Sequence, residues 1–205
     1  MLDQLDRKIR QMHQALDDLE ESDLSSITSE HLTMPHGYHC KVDFAQGTTE
    51  VGLANIASLL IGNIACMKDH LKVWCSKNNK AFDGDSLIDS DMNVALVHDL
   101  WNIDKHAELD KPPRSGYRLR ILNLRQTLNI STGASAGSSA MFSFDPRTRK
   151  TRTETQGGGR VSLLISGDVV DEHGNRLGDF ADICEKAAAA WGQALNRAGV
   201  VIPVR

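Results

Sequence analysis

"LVHDLWNIDKHAEL", residues 96 to 109, is the stretch on which the fold turns. Leu96, Leu100 and Ile103 recur at the spacing of one helical face, so the segment reads as an amphipathic helix. It nevertheless closes on Asp104, Lys105 and His106: a carboxylate, an ammonium and an imidazole in a row. Upstream, "IGNIACMKDHLKVW" (61 to 74) holds a second acid-imidazole pair, Asp69-His70. There the stripe Leu53, Ile56, Leu60, Ile64, Met67, Leu71 and Trp74 predicts one helix from about 48 to 77, capped by Thr48 or Thr49. The short loop "NNKAFDGDS" then leads to a helix capped by Asp89 or Ser90 and ended by Pro112-Pro113. A connection this short predicts that the two helices pack as an antiparallel hairpin over 48–110, at the centre of the core.

Outward from that hairpin the texture changes twice. Leu2, Leu5, Ile9, Met12, Leu16 and Leu19 predict an N-terminal helix over 2–22. "GYHCKVDFAQGTTEV" alternates and turns at Gln46-Gly47, as a short strand or hairpin would. From Gly116, "YRLRILNL", "SAMFSF" and "RVSLLISGDVV" predict a small antiparallel sheet over 116–170, and "DEHGN" a turn. The polar run 145–160, with three consecutive glycines, reads as a loose hairpin tip. A last helix over 179–199 carries Phe180, Ile183, Cys184, Ala187, Trp191 and Leu195 on one stripe, capped by Asp179 and closed by Gly199. The expected class is α+β, one domain over residues 1–205.

Composition narrows the function classes. Forty per cent hydrophobic and 24% charged residues suit a globular chain. The apolar run Ile56–Ile61 is too short to span a bilayer, and the start lacks the apolar core of a secretory signal. Cys40, Cys66, Cys75 and Cys184 form no CxxC, so free thiols in the cytoplasm are expected, with no membrane and no cofactor. Charge is uneven: residues 1 to 31 carry eight acidic side chains against three basic, and residues 114 to 160 nine basic against two acidic. Arg118, Arg120, Arg147, Arg149, Lys150 and Arg152 are therefore candidates for an anion or nucleic-acid surface, or for an acidic protein partner. A solvated sheet face is the other reading.

The candidate chemical residues are Asp69, His70, Asp104, Lys105 and His106. Facing imidazoles, each with a carboxylate, can act as an acid/base pair near neutral pH. The same groups can form a hydrogen-bonded clamp that fixes helix register, or hold a metal. His36, His39 and Cys40 offer a rival metal location, but no fourth ligand is evident, so no metal site is expected. "STGASAGSSA" and "QGGGR" lack the Gly-Lys-Ser/Thr ending of a phosphate loop, and no G-x-S-x-G frames a serine nucleophile.

The pairing of "GNIACMKDHLKVW" with "LWNIDKHAEL" resembles a group of bacterial and phage proteins whose helices read H-N-L-R-S-A-L-D-H-L and N-x-[ILV]-D-K-H-R. That group is similar to HEPN domains, helical bundles that often form homodimers and in many cases cut RNA. The resemblance covers residues 50 to 110. It aligns Asn63, Asp69, His70, Asn102, Asp104, Lys105 and His106 with the group's motif residues, and implies a HEPN-like antiparallel helical bundle with the sheet inserted before the last helix. The group's first-motif arginine falls on Ala65, and Ala107 follows the second histidine where the group has arginine. HEPN ribonucleases pair such an arginine with their histidine, and residues 63 to 65, the window where it would precede His70, hold none. The expectation is thus a non-catalytic or degenerate HEPN-like binding or regulatory protein that self-associates. The alternative is an RNA-directed nuclease, or another phosphate-directed hydrolase, with His70 and His106 as acid and base.

Overall fold

The protein is described from a computed structural model, which covers residues 2–17, 20–21, 28–34, 37–43, 49–82, 84–106, 111–145, 147–148 and 150–200. In chain order these form α1 (Leu2–Asp17), β1 (Glu20–Glu21), β2 (Thr28–Met34), β3 (Gly37–Asp43), α2 (Glu50–Ala65), α3 (Met67–Lys77) and α4 (Gly84–Ser90). Then come α5 (Met92–Lys105), β4 (Arg120–Ser131), β5 (Ser139–Asp145), β6 (Lys150–Gln156), β7 (Arg160–Val170), β8 (Arg176–Asp179) and α6 (Phe180–Ala198). The class is α+β. Two compact units divide the chain: Met1–Asp18 with Ala54–Leu124 and Gly167–Arg205, and Leu19–Leu53 with Arg125–Ser166.

The first unit is mainly helical, and α6 is its hub. Asp179 accepts from the N–H groups of Ala181 and Asp182 to start α6, and Gly199, at φ 83°, closes it. Its inward stripe includes Phe180, Cys184, Trp191 and Leu195, all at most 1% exposed. Against α6 pack α5 first, then α1, α3 and β8, while α4 lies on α5 and α3. The expected hairpin centre is thereby corrected. Met67, Leu71, Leu96 and Leu100 are buried as expected, whereas Trp74 and Ile103 are only half-buried.

Three helix boundaries also differ from the sequence reading. The N-terminal helix ends at Asp17, and Glu20–Glu21 pair with Leu163–Leu164 of β7. The helix expected over 48–77 is interrupted at Cys66, where the Asp69 N–H reaches back to the Cys66 carbonyl at 3.2 Å in a tightened turn. Thr49 does cap α2, accepting from the Gly52 N–H at 3.1 Å. The expected loop after α3 contains α4, and the cap of α5 is Asp91, which accepts from Asn93 and Val94. By length and composition Glu50–Lys77 could cross a bilayer, yet its Met67, Leu71 and Cys75 lie in the protein's own core.

β7 pairs antiparallel with β1 and β8, and lies next to β4 in the order β1-β7-β4. The region 116–170 is thus not one sheet, because β5 and β6 form a hairpin of their own, as do β2 and β3. The β3 strand pairs with the segment before it; the expected turn at Gln46-Gly47 lies outside the described residues, as does His36. Residues 150–156, read as part of a loose tip, are strand β6 in register with β5, from Asp145 opposite Lys150 to Ser139 opposite Gln156. Period two explains it. Ala140 and Phe142 share a face and, with Leu128, pack on Val161 and Leu163.

The glycines serve backbone contact in this second unit. Gly157 and Gly158 adopt φ of 59° and 86°, and the Gly133 N–H donates to Ser138 Oγ at 2.6 Å. A Cβ on Gly159 would stand 1.9 Å from the Ser139 carbonyl oxygen. Gly159→Ala should therefore cost about 1–3 kcal/mol by overpacking. Leu71→Ala, at a fully buried site, should cost about 2–5 kcal/mol. Denaturant melts check both; a Gly159→Ala chain as stable as the parent would show that the two turns do not interlock.

Candidate functional site

Asp99 sits on the inward face of α5, 2% exposed. An unpaired carboxylate there would be strongly destabilising. It is paired with backbone: Arg114 N–H donates to Oδ1 at 3.0 Å and Ser115 N–H to Oδ2 at 2.7 Å. Burial pushes the Asp99 carboxyl up, but the neighbouring His98 and those N–H groups outweigh it, so its pKa lies below the ordinary value. His98 Nδ1 lies 3.1 Å from Asn102 Nδ2 and 3.7 Å from Asp99 Oδ1. The Arg114 guanidinium meanwhile reaches Asp89 at 2.6 Å and Asp85 at 2.9 Å, and Lys68 meets Asp85 at 2.7 Å. This carboxylate clamps α5 to the segment that follows it.

The five candidate residues lie elsewhere. Asp104, Lys105 and His106 are exposed, and the Asp104 carboxylate accepts from Ser58 Oγ of α2 at 3.2 Å. Asp69 is exposed on α3. His70 is half-buried, and its pKa is lowered first by burial and then by Lys8 and Arg7 of α1, with Asp69 opposing. Helix geometry separates the two histidines. Gly62 meets Trp101 and Ser58 meets Asp104, so α2 and α5 run antiparallel and His106 falls level with the first half of α2. His70 lies some fifteen residues farther along the 50–77 helical stretch, roughly 20 Å away at 1.5 Å per residue. The Asp-His pairs are thus not brought together.

The basic candidates divide in the same way. Arg118 donates its N–H to Glu172 at 3.0 Å, and the Arg120 guanidinium reaches the Glu172 carbonyl at 3.5 Å, both in the helical unit. In the other unit Arg147 and Arg152 are exposed on the β5–β6 hairpin, with Arg152 3.8 Å from Glu154. Arg149 and the side chain of Lys150 lie outside the described residues, as do those of His39 and Cys40. Among the described residues no three His, Cys, Asp or Glu side chains gather where a metal could sit.

What the helical unit does offer is a groove of about 570 Å³. Helix α1 supplies Lys8, α2 supplies Asn55, Ser58, Leu59, Gly62 and Asn63, α5 supplies Trp101, and Cys66 lies at the α2–α3 junction. Gly62 lets α5 come close: a Cβ there would lie 2.8 Å from Cζ3 of Trp101. Sequence reasoning placed Asn63 near a site but missed Lys8 and Trp101. The available signal was Gly62 itself, because a glycine inside an apolar helix marks a close approach. Compared with known proteins, the chain matches no family model, no curated protein and no solved structure.

Two measurements check these environments. Asp99→Ala should lose about 2–4 kcal/mol, since it strands one buried and one part-buried N–H group. A depressed carboxyl stabilises above its unfolded pKa and stops doing so as pH falls through the folded one. The gap between parent and variant should therefore close in acid; a gap that persists unchanged at low pH would contradict the pairing. In NMR titration His70 should protonate at a lower pH than an ordinary histidine, and Lys8→Met should raise the midpoint. No rise would remove Lys8 from its surroundings.

Proposed function

We propose that this chain is a non-catalytic binding or regulatory protein, related to the HEPN-like group it resembles, which self-associates as a homodimer. One observation carries the reading: the recess among α1, α2 and α5 is lined by carboxamides, a hydroxyl, an ammonium and an indole, while both candidate histidines stand outside it. Such groups hold a ligand and, at neutral pH, do not pass protons as an imidazole does. The missing arginine at Ala65 points the same way. A polyanion surface has less support, because the guanidinium groups of Arg114 and Arg120 are engaged within their own unit.

Purified protein incubated with single-stranded and structured RNA should show no hydrolysis above background, and His70→Ala with His106→Ala should leave that unchanged. Cleavage that these substitutions abolish would replace the reading with the nuclease. Light scattering across a concentration series should give a mass approaching twice the chain's 22.5 kDa. A constant monomer mass at the highest concentration would remove the homodimer.

A further inference from the structure

We infer that the groove among α1, α2 and α5 binds a small amphipathic anion, with its carboxylate-type group at the Lys8 end and an aromatic or branched apolar body against Leu59 and Trp101. The inference rests on the proposed binding function and names the class of ligand. Volume comes first: about 570 Å³ lies within the roughly 300–1,000 Å³ of sites that hold one small molecule.

Polarity then orients the ligand. Helix α1 packs on α3, which places Lys8 toward the α3 end of the groove, on the side of Asn63 and Cys66. Among the described residues neither the Lys8 ammonium nor the Asn63 carboxamide has a hydrogen-bond or ion-pair partner, so both are available to a ligand. At the other end Ser58 donates to the Asp104 carboxylate, and an anion placed there would be repelled. A single negative charge is therefore favoured at one end only.

The walls supply the apolar part. Leu59 is 67% exposed, so a ligand covering it removes apolar surface from water. Trp101 is half-buried with its six-membered ring against Gly62, and that contact fixes the indole as a wall rather than a mobile flap. An indole wall with a cation at one end matches an anion carrying a flat or branched body.

Anilinonaphthalene sulfonate is a suitable probe, with the uncharged N-phenylnaphthylamine as its control. The folded chain should bind the anion saturably at one per chain, with transfer of excitation from tryptophan. Lys8→Met should weaken the anion roughly tenfold, as loss of one charge-assisted contact does, and leave the uncharged probe within about twofold. Trp101→Ala should weaken both. Gly62→Ala, which displaces the indole, keeps the test open if Trp101→Ala does not fold. Non-saturable uptake, or equal affinity in Lys8→Met, would overturn the inference. So would uptake that appears only on dilution, since a second copy would then be the occupant. RNA hydrolysis lost in His70→Ala bears on the binding reading instead, so the two failures are distinguishable.

Discussion

The helical unit hangs on one buried carboxylate. Asp99 satisfies the N–H groups of Arg114 and Ser115, so the chain leaving α5 is held against the helix it has just left. Arg114 then carries the constraint outward, because its guanidinium joins Asp85 and Asp89 of α4. Those exposed ion pairs are worth little alone; their use is to set where α4 lies on α5. With one face of α5 committed to α6 and α4, Trp101 is left to face α2. The groove is a consequence of that division of faces.

The same division separates the two acid-imidazole pairs. An acid/base pair needs both titrating groups at one reacting centre, within hydrogen-bond reach of the atoms they serve. His70 is set by its position on α3 beside the cations of α1, and His106 by its place as the exposed cap of α5. One interacts with Lys8 and Arg7, the other ends a helix. Their similarity in sequence is real, but antiparallel packing of α2 and α5 carries them to opposite ends of the helical stretch.

How far the sequence revealed this depends on the element. Helix α6 was legible in full, since a strong apolar stripe, an aspartate cap and a closing glycine all agree. Strand β6 was not: the residues opposite Ala140 and Phe142 are threonines, so the period-two signal lacked the apolar contrast that makes alternation visible. Helix α4 begins at Gly84 and runs only seven residues, too short for a stripe to show. The ionisable residues of α5 were visible, but their ranking was not. Asp99 gains its role from two backbone N–H groups fifteen and sixteen residues later, and no spacing rule points to them. Lys8 and Trp101 meet α2 only through tertiary packing, for the same reason.

The separation of the two histidines is the claim on which the account depends, and their electrostatic coupling measures it. At roughly 20 Å in a water-like medium, two unit charges interact by about 0.2 kcal/mol, or about 0.15 pH unit. Replacing His106 with glutamine should therefore leave the NMR titration midpoint of His70 essentially where it is in the parent. Two imidazoles sharing a reaction centre at about 4 Å would be coupled by about 1 kcal/mol or more, and by several at lower effective dielectric. A rise in the His70 midpoint of roughly 0.7 pH unit or more in His106→Gln would contradict the account and return both residues to a single site.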